Sequence, residues 1–506
     1  MTEQFRPPET DHGSEEPSLT ARVVKGGAWV FAGKVGSRGL QAIKLVVLAR
    51  LLVPDDFGLF GIVMLALAAA ETFTQTGFQT ALIQKQDDTD EYLDTAWTVQ
   101  VIRGFLLAVA LFAAAPLIAW FFDEPRVIPL LQLLSTMEVL RGFTNIGIVY
   151  FQKELEFHKQ VAYQLISSTV GLAVGIILAL ILRNVWALVW GSLAGQLTST
   201  ALSYGLHPYR ARVRLNREQA AELFGFGRWI LGNSMVSFLA IKVDQIILGR
   251  VLGAPALGIY NMADRIGGLL PTEFMHLTNE VMMPAYAKVQ SDSERLGRAF
   301  LEVFGTALSI GGPLAAFILL AAPDLVPAIL GPEWLSAIVP LQILAVGGFL
   351  RCVVGVSSPV FLGTGHPNIQ FWKSLIRAAV TLVAIFPLTA RYGVAGTALA
   401  GVLGVIALSP LFFLALRIVD VPLAQLAGSA LPGLVLTTAA GLGVLPGRAV
   451  AGHPLLAFSM EVVGSSLLTL AAILMLARRN LGPYVMIRRH MGNLGPRPEI
   501  LPTVKT

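Results

Sequence analysis

Apolar residues recur along this chain in long stretches that short polar connections separate. A helix needs about 20 mostly apolar residues to cross the hydrocarbon core of a bilayer. The pattern predicts fourteen spans, at 26–52, 56–84, 94–122, 127–151, 161–182, 185–205, 222–252, 256–287, 297–322, 336–362, 368–390, 393–416, 424–446 and 454–477. Alternation with a period of two is weak, which argues against a membrane β-barrel. We therefore expect an all-α integral membrane protein.

The first and seventh predicted spans repeat each other. Residues 27–60 and 227–260 match without a gap at seven positions: Gly27/Gly227, Trp29/Trp229, Ser37/Ser237, Leu48/Leu248, Arg50/Arg250, Leu52/Leu252 and Gly58/Gly258. The two spans are six helices apart, so they run in the same direction. This predicts two parallel six-helix repeats, related by an axis along the membrane normal, with a site between them near mid-membrane.

A polar, basic linker falls where the repeat begins again, and it divides the chain. The predicted organisation is a disordered tail at 1–22, an N-terminal six-helix lobe at 23–205, a linker at 206–221, a C-terminal six-helix lobe at 222–416, two extra helices at 417–477 and a basic tail at 478–506. The first 22 residues contain no apolar signal-peptide core, so we expect the first span to be retained.

The charge distribution predicts the orientation in the membrane. Of 506 residues, 55% are hydrophobic and 14% charged, which excludes a soluble protein. Twenty basic residues fall on the side of the tails and six on the opposite side. Basic residues concentrate in cytoplasmic loops, so both tails should be cytoplasmic. A twelve-span arrangement would place them there too. The single cysteine, Cys352, excludes an intramolecular disulfide and a cysteine-based metal site.

Several predicted spans carry ionisable side chains, which are costly in a bilayer and usually line an internal cavity. Lys34, Arg38, Gln41 and Lys44 share one face of the first span. Further basic candidates are Arg141, Arg265, Lys373 and Arg377. Clustered Arg and Lys suit phosphate or pyrophosphate, so these eight residues are our candidates for binding substrate. Alternatively, Lys34 and Lys373 snorkel to the surface, and Arg141 with Glu138 or Arg265 with Asp264 are simply local pairs.

The acidic residues inside the spans are candidates for coupling or gating. Lys44 and Asp244 occupy equivalent repeat positions near the predicted outer mouth, with opposite charges. This predicts a closing pair between the lobes. Glu71, Asp244 and Asp264 are candidates to carry a coupling proton or Na⁺. We expect no metal site, no other cofactor and no nucleic-acid partner.

Four motifs resemble one known family: LARLLVPDDFGLFG (48–61), TGFQTALIQKQD (76–87), KVDQIILGRVLGAPALGIYNMADRI (242–266) and LQILAVGGFLR followed by FLGTGHPN (341–368). As a set they resemble the oligosaccharide flippase, or Wzx-type polysaccharide transporter, family of the multidrug/oligosaccharidyl-lipid/polysaccharide exporter superfamily. The resemblance covers roughly residues 24–420, and the last two spans match by hydropathy only.

This resemblance implies a two-lobe, fourteen-helix transporter of the bacterial cytoplasmic membrane. Such proteins turn undecaprenyl-pyrophosphate-linked oligosaccharides from the cytoplasmic to the periplasmic leaflet for O-antigen, exopolysaccharide or capsule assembly. It implies alternating access and basic residues in the central cavity. Through the family it also implies a polysaccharide polymerase and a chain-length regulator as partners.

Two other functions remain as alternatives. A cation-coupled drug or metabolite antiporter of the same superfamily would need carboxylates and aromatics in its cavity, whereas basic residues dominate here. A membrane polysaccharide polymerase or glycosyltransferase would need acid/base residues in a sizeable loop. The predicted outer loops are short, and Asp123 and Glu124 are their nearest candidates. We therefore expect a transporter and not an enzyme.

Overall fold

The computed structural model describes residues 19–74, 89–153, 156–448 and 453–478, which form helices and connecting turns without a strand. The all-α prediction is confirmed. Most of the predicted tails, at 1–18 and 479–506, lies outside the described residues, as does the end of the second span at 75–84.

We number the helices of ten or more residues in chain order. They are α1 (Leu19–Leu51), α2 (Pro54–Phe73), α3 (Thr89–Phe122), α4 (Val127–Gly142), α5 (Phe157–Leu182), α6 (Trp186–Leu206), α7 (Arg217–Val289), α8 (Ser293–Leu325), α9 (Ile338–Gly355), α10 (Pro367–Ile406), α11 (Ser409–Ile418), α12 (Leu423–Leu442) and α13 (Pro454–Arg478). A single π-helical turn, Val326–Leu330, follows α8.

Two of these helices fold back on themselves at a glycine. Gly253 in α7 has φ 78° and Gly393 in α10 has φ 57°, a region that L side chains rarely adopt. Tyr260 donates to Asp244 across the first break at 2.5 Å. Sixteen residues of straight helix would separate them by about 24 Å. Each of these helices is therefore a hairpin with a first and a second arm.

The chain is a multi-pass membrane protein. Nine segments of the described residues are long and apolar enough to cross a membrane, and the longest, Pro367–Ile418, contains the reversal at Gly393. Every predicted span overlaps at least one helical arm. The number fourteen, and the division into two lobes, stay predictions.

We call the end of the bundle where α1 ends and α2 begins the distal end. Here α2, from the predicted N-terminal lobe, crosses the second arm of α7, from the C-terminal lobe. A Cβ at Gly58 would meet the carbonyl oxygen of Ala254, and a Cβ at Gly258 would meet that of Pro54. Within a membrane, helices associate through packing, and small residues permit such close approach. The two predicted lobes therefore touch, backbone to backbone, through repeat-equivalent positions.

The last two helices pack on the C-terminal side of the bundle. Gly433 of α12 lies against Leu308 of α8, and Gly443, at the end of α12, lies against Ser465 of α13. Phe317 of α8 contacts Phe458 of α13, with ring centroids 6.3 Å apart. The distal end of α8 is therefore enclosed by α13.

Candidate functional site

Three of the predicted substrate-binding residues lie well inside their helices. At 1.5 Å rise per residue, Lys44 lies about 10 Å and Arg38 about 20 Å along α1 from its distal end at Leu51. Arg265 lies about 18 Å from the reversal at Gly253. Each of the three therefore lies away from the distal end of its helix, as a site near mid-membrane requires.

A first ionic cluster belongs to the N-terminal lobe. Arg141 of α4 forms ion pairs with Glu71 of α2 at 2.7 Å and with Glu138 at 3.2 Å. Arg103 of α3 donates to the Thr74 hydroxyl and to the carbonyl oxygen of Glu71, both at 3.1 Å. The charge of Arg141 is thus already balanced. Pairing with Glu138 was the predicted alternative for this residue, and Glu71 of a second helix is a further partner. Arg103 was not among the predicted site residues, because its only signal in the sequence is a basic residue inside an apolar span.

Arg38 pairs across the two predicted lobes. Its guanidinium forms an ion pair with Glu273 on the second arm of α7 and also donates to the Gln41 side chain at 3.3 Å. The stripe of cations on α1 therefore contains one that an acid of the opposite lobe balances. Periodicity along α1 could not reveal this partner, which lies 235 positions further along the chain.

The C-terminal lobe holds a second mixed cluster. The Tyr260 hydroxyl donates to Asp244, and Arg351 of α9 lies 4.0 Å from Asp264. Arg377 of α10 interacts electrostatically with both acids and with Arg351. In this cluster two arginines face two carboxylates, so the positive and negative charges balance.

Arg351 is the repeat counterpart of Arg141. Shifted by 210 positions, α4 and α9 match at Leu131/Leu341, Gln132/Gln342, Leu134/Leu344, Leu140/Leu350 and Arg141/Arg351. Both arginines pair with an acid on the helix that crosses the other lobe, namely α2 and the second arm of α7. The two predicted lobes therefore place an arginine and its acid in the same way.

Lys373 is enclosed by protein and does not reach the surface. Its side chain is 7% exposed, and its ammonium donates to Ser358 Oγ at 2.6 Å and to Ser357 Oγ at 3.2 Å. The serine hydroxyls satisfy two of its three donors. Snorkelling, one alternative for this residue, does not occur in this conformation.

Lys44 and Arg265 are two cations of the site that no ion pair holds. Neither makes an ion pair or a side-chain hydrogen bond with any residue that the structure describes; the two repel each other, and Arg265 also interacts electrostatically with its neighbour Asp264. Lys44 belongs to α1 and Arg265 to the second arm of α7, so the two cations come from opposite lobes. Two such cations, accessible and deep in the bundle, can bind an anion between them.

The predicted closing pair between Lys44 and Asp244 is not formed in this conformation, in which Asp244 accepts from Tyr260. The distal contact uses other residues. Arg50 donates to the carbonyl oxygens of Ala328 and, at 2.9 Å, Ile329, and Trp334 Nε1 donates to the carbonyl oxygen of Ala49 at 2.9 Å. Arg50 was visible in the sequence only as a match to Arg250. A closing pair in another conformation stays a prediction.

The distal loop of the N-terminal lobe is held by Arg126. Its guanidinium donates to both oxygens of Glu124, at 2.7 and 2.9 Å, and to both oxygens of Asp55, at 2.6 and 3.1 Å. These hydrogen bonds, with Glu124 contributing most, raise the pKa of Arg126. The start of α2 is thereby tied to the start of α4. Among the described residues no three His, Cys, Asp or Glu side chains are grouped to hold a metal ion.

Comparison with known proteins supports the family resemblance that the four sequence motifs indicated. Residues 47–339 match the family described as polysaccharide biosynthesis protein. The lipopolysaccharide biosynthesis protein WzxC of Escherichia coli K12 is 26% identical over 390 residues, which cover 77% of this chain and 78% of that protein. The succinoglycan biosynthesis transport protein ExoT of Rhizobium meliloti is 22% identical over 370 residues, covering 73% and 75%.

A solved structure shares the fold. The lipid II flippase MurJ in an inward closed conformation superposes with a TM-score of 0.71 at 14% identity, over 90% of this chain and 99% of that one. Because the family match spans more than half of the 506 residues, it confirms the family that the motifs predicted. The chain belongs to the polysaccharide biosynthesis protein family of membrane proteins.

Proposed function

We propose that this protein is a flippase for polyprenyl-pyrophosphate-linked oligosaccharides and not an enzyme. The observation that carries the proposal is the pair Lys44 and Arg265, two mutually repelling cations of opposite predicted lobes that form no ion pair among the described residues. Family membership and the names of WzxC and ExoT support it. A diphosphate between the two cations would bring negative charge to both of them and relieve their repulsion.

The proposed cycle is alternating access between the two lobes. In this conformation the distal end is closed by the glycine crossing and by Arg50 and Trp334. The pyrophosphate would enter from the opposite, cytoplasmic end, while the lipid tail stays in the bilayer. Bound anion would remove the repulsion between Lys44 and Arg265, and release of the distal contact would open the periplasmic side. Such a shift requires that the substrate bind the two states with different affinity.

The proposal includes elements that follow from the family. Both tails would be cytoplasmic, in a bacterial inner membrane, and a polymerase and a chain-length regulator would be partners. A coupling proton or Na⁺ would be carried by Glu71, Asp244 or Asp264. Glu71 forms an ion pair with Arg141, and Asp244 accepts from Tyr260. Asp264 interacts electrostatically with Arg351, Arg265 and Arg377. Each of the three acids thus already has a partner, and none is placed before the others.

The test is transport of a lipid-pyrophosphate-linked oligosaccharide into inverted membrane vesicles. Lys44→Ala and Arg265→Ala are compared with wild type at matched expression. Arg298→Gln is the control, because it removes one positive charge from an exposed pair with Glu294 outside the site. We expect transport by wild type and by the control, and its loss in both site variants.

Other outcomes change the proposal in distinct ways. Transport that survives in both site variants keeps the flippase and rejects this binding site. Absence of transport by wild type, together with uptake of a cationic dye by the same vesicles, replaces the flippase by the cation antiporter. Release of a trimmed or elongated glycan from the lipid would indicate an enzyme.

A further inference from the structure

A buried acid on the last helix has no hydrogen-bond partner. Glu461 of α13 is 0% exposed, and neither of its carboxyl oxygens has a partner among the described residues. The short helical turn Leu445–Arg448 closes over it, since a Cβ at Gly447 would meet Glu461 Cγ. A buried carboxylate without a donor costs several kcal/mol. The site therefore requires a ligand of positive charge.

A second carboxyl group faces Glu461 from α8. Asp324 lies within hydrogen-bonding reach of it, yet two carboxylates offer each other only acceptors unless one of them carries a proton. Arg448 interacts electrostatically with Glu461, but its guanidinium donates to the carbonyl oxygen of Leu320 at 2.8 Å. Neither α12 nor the π-helical turn contains an ionisable side chain. In the described part of the chain no third acid completes a metal site.

This carboxyl pair adjoins the contact that closes the distal end. Asp324 precedes the π-helical turn Val326–Leu330 by two residues. Two carbonyl oxygens of that turn accept hydrogen bonds from the Arg50 guanidinium, and the same turn packs against α13. The acceptors of the N-terminal lobe's arginine are therefore held in place by the helix that carries Glu461.

We propose that Asp324 and Glu461 bind one proton between them and that this proton stabilises the closed distal end. When the proton leaves, two adjacent carboxylates repel. Asp324, which is partly exposed, then separates from α13 and displaces the π-helical turn from Arg50. The last two helices thereby act as a proton-dependent latch, which is independent of the transported substrate.

The experiment measures the distal opening without substrate. Cysteines replace Leu182 and Tyr392, exposed residues at the distal ends of α5 and α10, and carry spin labels. The native Cys352 is buried and free, so it adds little background. Double electron–electron resonance then gives the closed and open populations from acidic to alkaline pH in wild type, Glu461→Gln and Asp324→Asn. Glu333→Gln, an exposed acid in the adjoining distal loop, is the control.

We expect the closed-to-open ratio of wild type and of the control to fall with rising pH, by at most about tenfold per pH unit, the limit for one linked proton. Glu461→Gln, which keeps a hydrogen-bond donor, should stay closed over the whole range. The infrared carbonyl stretch of a buried protonated carboxyl group should also disappear in this variant. An unchanged pH dependence in Glu461→Gln overturns the proposal, as does a wild type that shows neither the pH dependence nor the infrared band.

Discussion

The glycine crossing at the distal end makes a quantitative prediction. In Gly58→Ala the new methyl group would overlap the carbonyl oxygen of Ala254, a backbone atom that cannot rotate away. Overpacking of this kind costs about 1–3 kcal/mol. Because the cost falls only on the closed distal end, the closed-to-open ratio should fall by about 5- to 150-fold. Gly258→Ala should have a similar effect, since its methyl group would overlap the carbonyl oxygen of Pro54.

The assay is the spin-label distance between positions 182 and 392, at constant pH. Gly401→Ala is the matched control, because a Cβ at Gly401 meets nothing within 4 Å. The double variant Gly58→Ala with Gly258→Ala should open little further than either single variant. Both overlaps lie at one crossing, so a single local displacement of the two helices within the closed state relieves both. A closed population in Gly58→Ala equal to that of the control would refute the role of backbone contact in closure. Fully additive effects would refute a single shared crossing.

Three further predictions concern individual contacts. Arg50→Lys keeps the charge but loses the fork that reaches two carbonyl groups, so the distal end should open about 5- to 30-fold more, as measured by the same distance. Ser358→Ala removes the shorter hydrogen bond of buried Lys373 and should lower the free energy of unfolding by about 1–3 kcal/mol, as measured by thermal unfolding in detergent. Glu273→Gln leaves Arg38 without its acid, and we expect a loss of about 1 kcal/mol in the same measurement, because both side chains are partly exposed.

Each of these variants has a control in the same chain. Arg250→Lys alters the repeat counterpart of Arg50, Ser409→Ala removes an exposed hydroxyl that donates only to the carbonyl oxygen of Ile406 three residues earlier, and Glu280→Gln neutralises an exposed acid on α7. If a control shifts its measurement as much as the corresponding variant, the contact assigned to that variant is not the cause.

Much of the fold was predictable because a bilayer restricts the possibilities. Apolar length alone indicates spanning helices, since backbone groups in lipid must bond within the helix. The repeat likewise predicted that Gly58 and Gly258 are equivalent, and the structure places them at one crossing. The reversals at Gly253 and Gly393 were located as span ends but not as glycines with positive φ, because nothing in hydropathy distinguishes a kink from a turn.

The site was predictable as a set of residues but not as a set of partners. Periodicity placed Arg38 and Lys44 on one face of α1, and both lie there. It could not indicate that Glu273 balances Arg38 while Lys44 has no acid, because the partner belongs to a distant segment. The expectation that Lys44 pairs with Asp244 relied on repeat position alone. The hydroxyl of Tyr260, which occupies Asp244 instead, comes from the other arm of a hairpin.

The crossing at Gly58 and Gly258 is self-complementary: the region around one glycine contacts its counterpart region, and the reverse contact is the same. This is the kind of interface by which two identical subunits form a dimer with a two-fold axis. Two identical subunits joined in this way carry the same residue at equivalent positions. A single chain is not bound by that symmetry: lysine stands at position 44 and aspartate at the equivalent position 244, so the two sides of the crossing differ in charge.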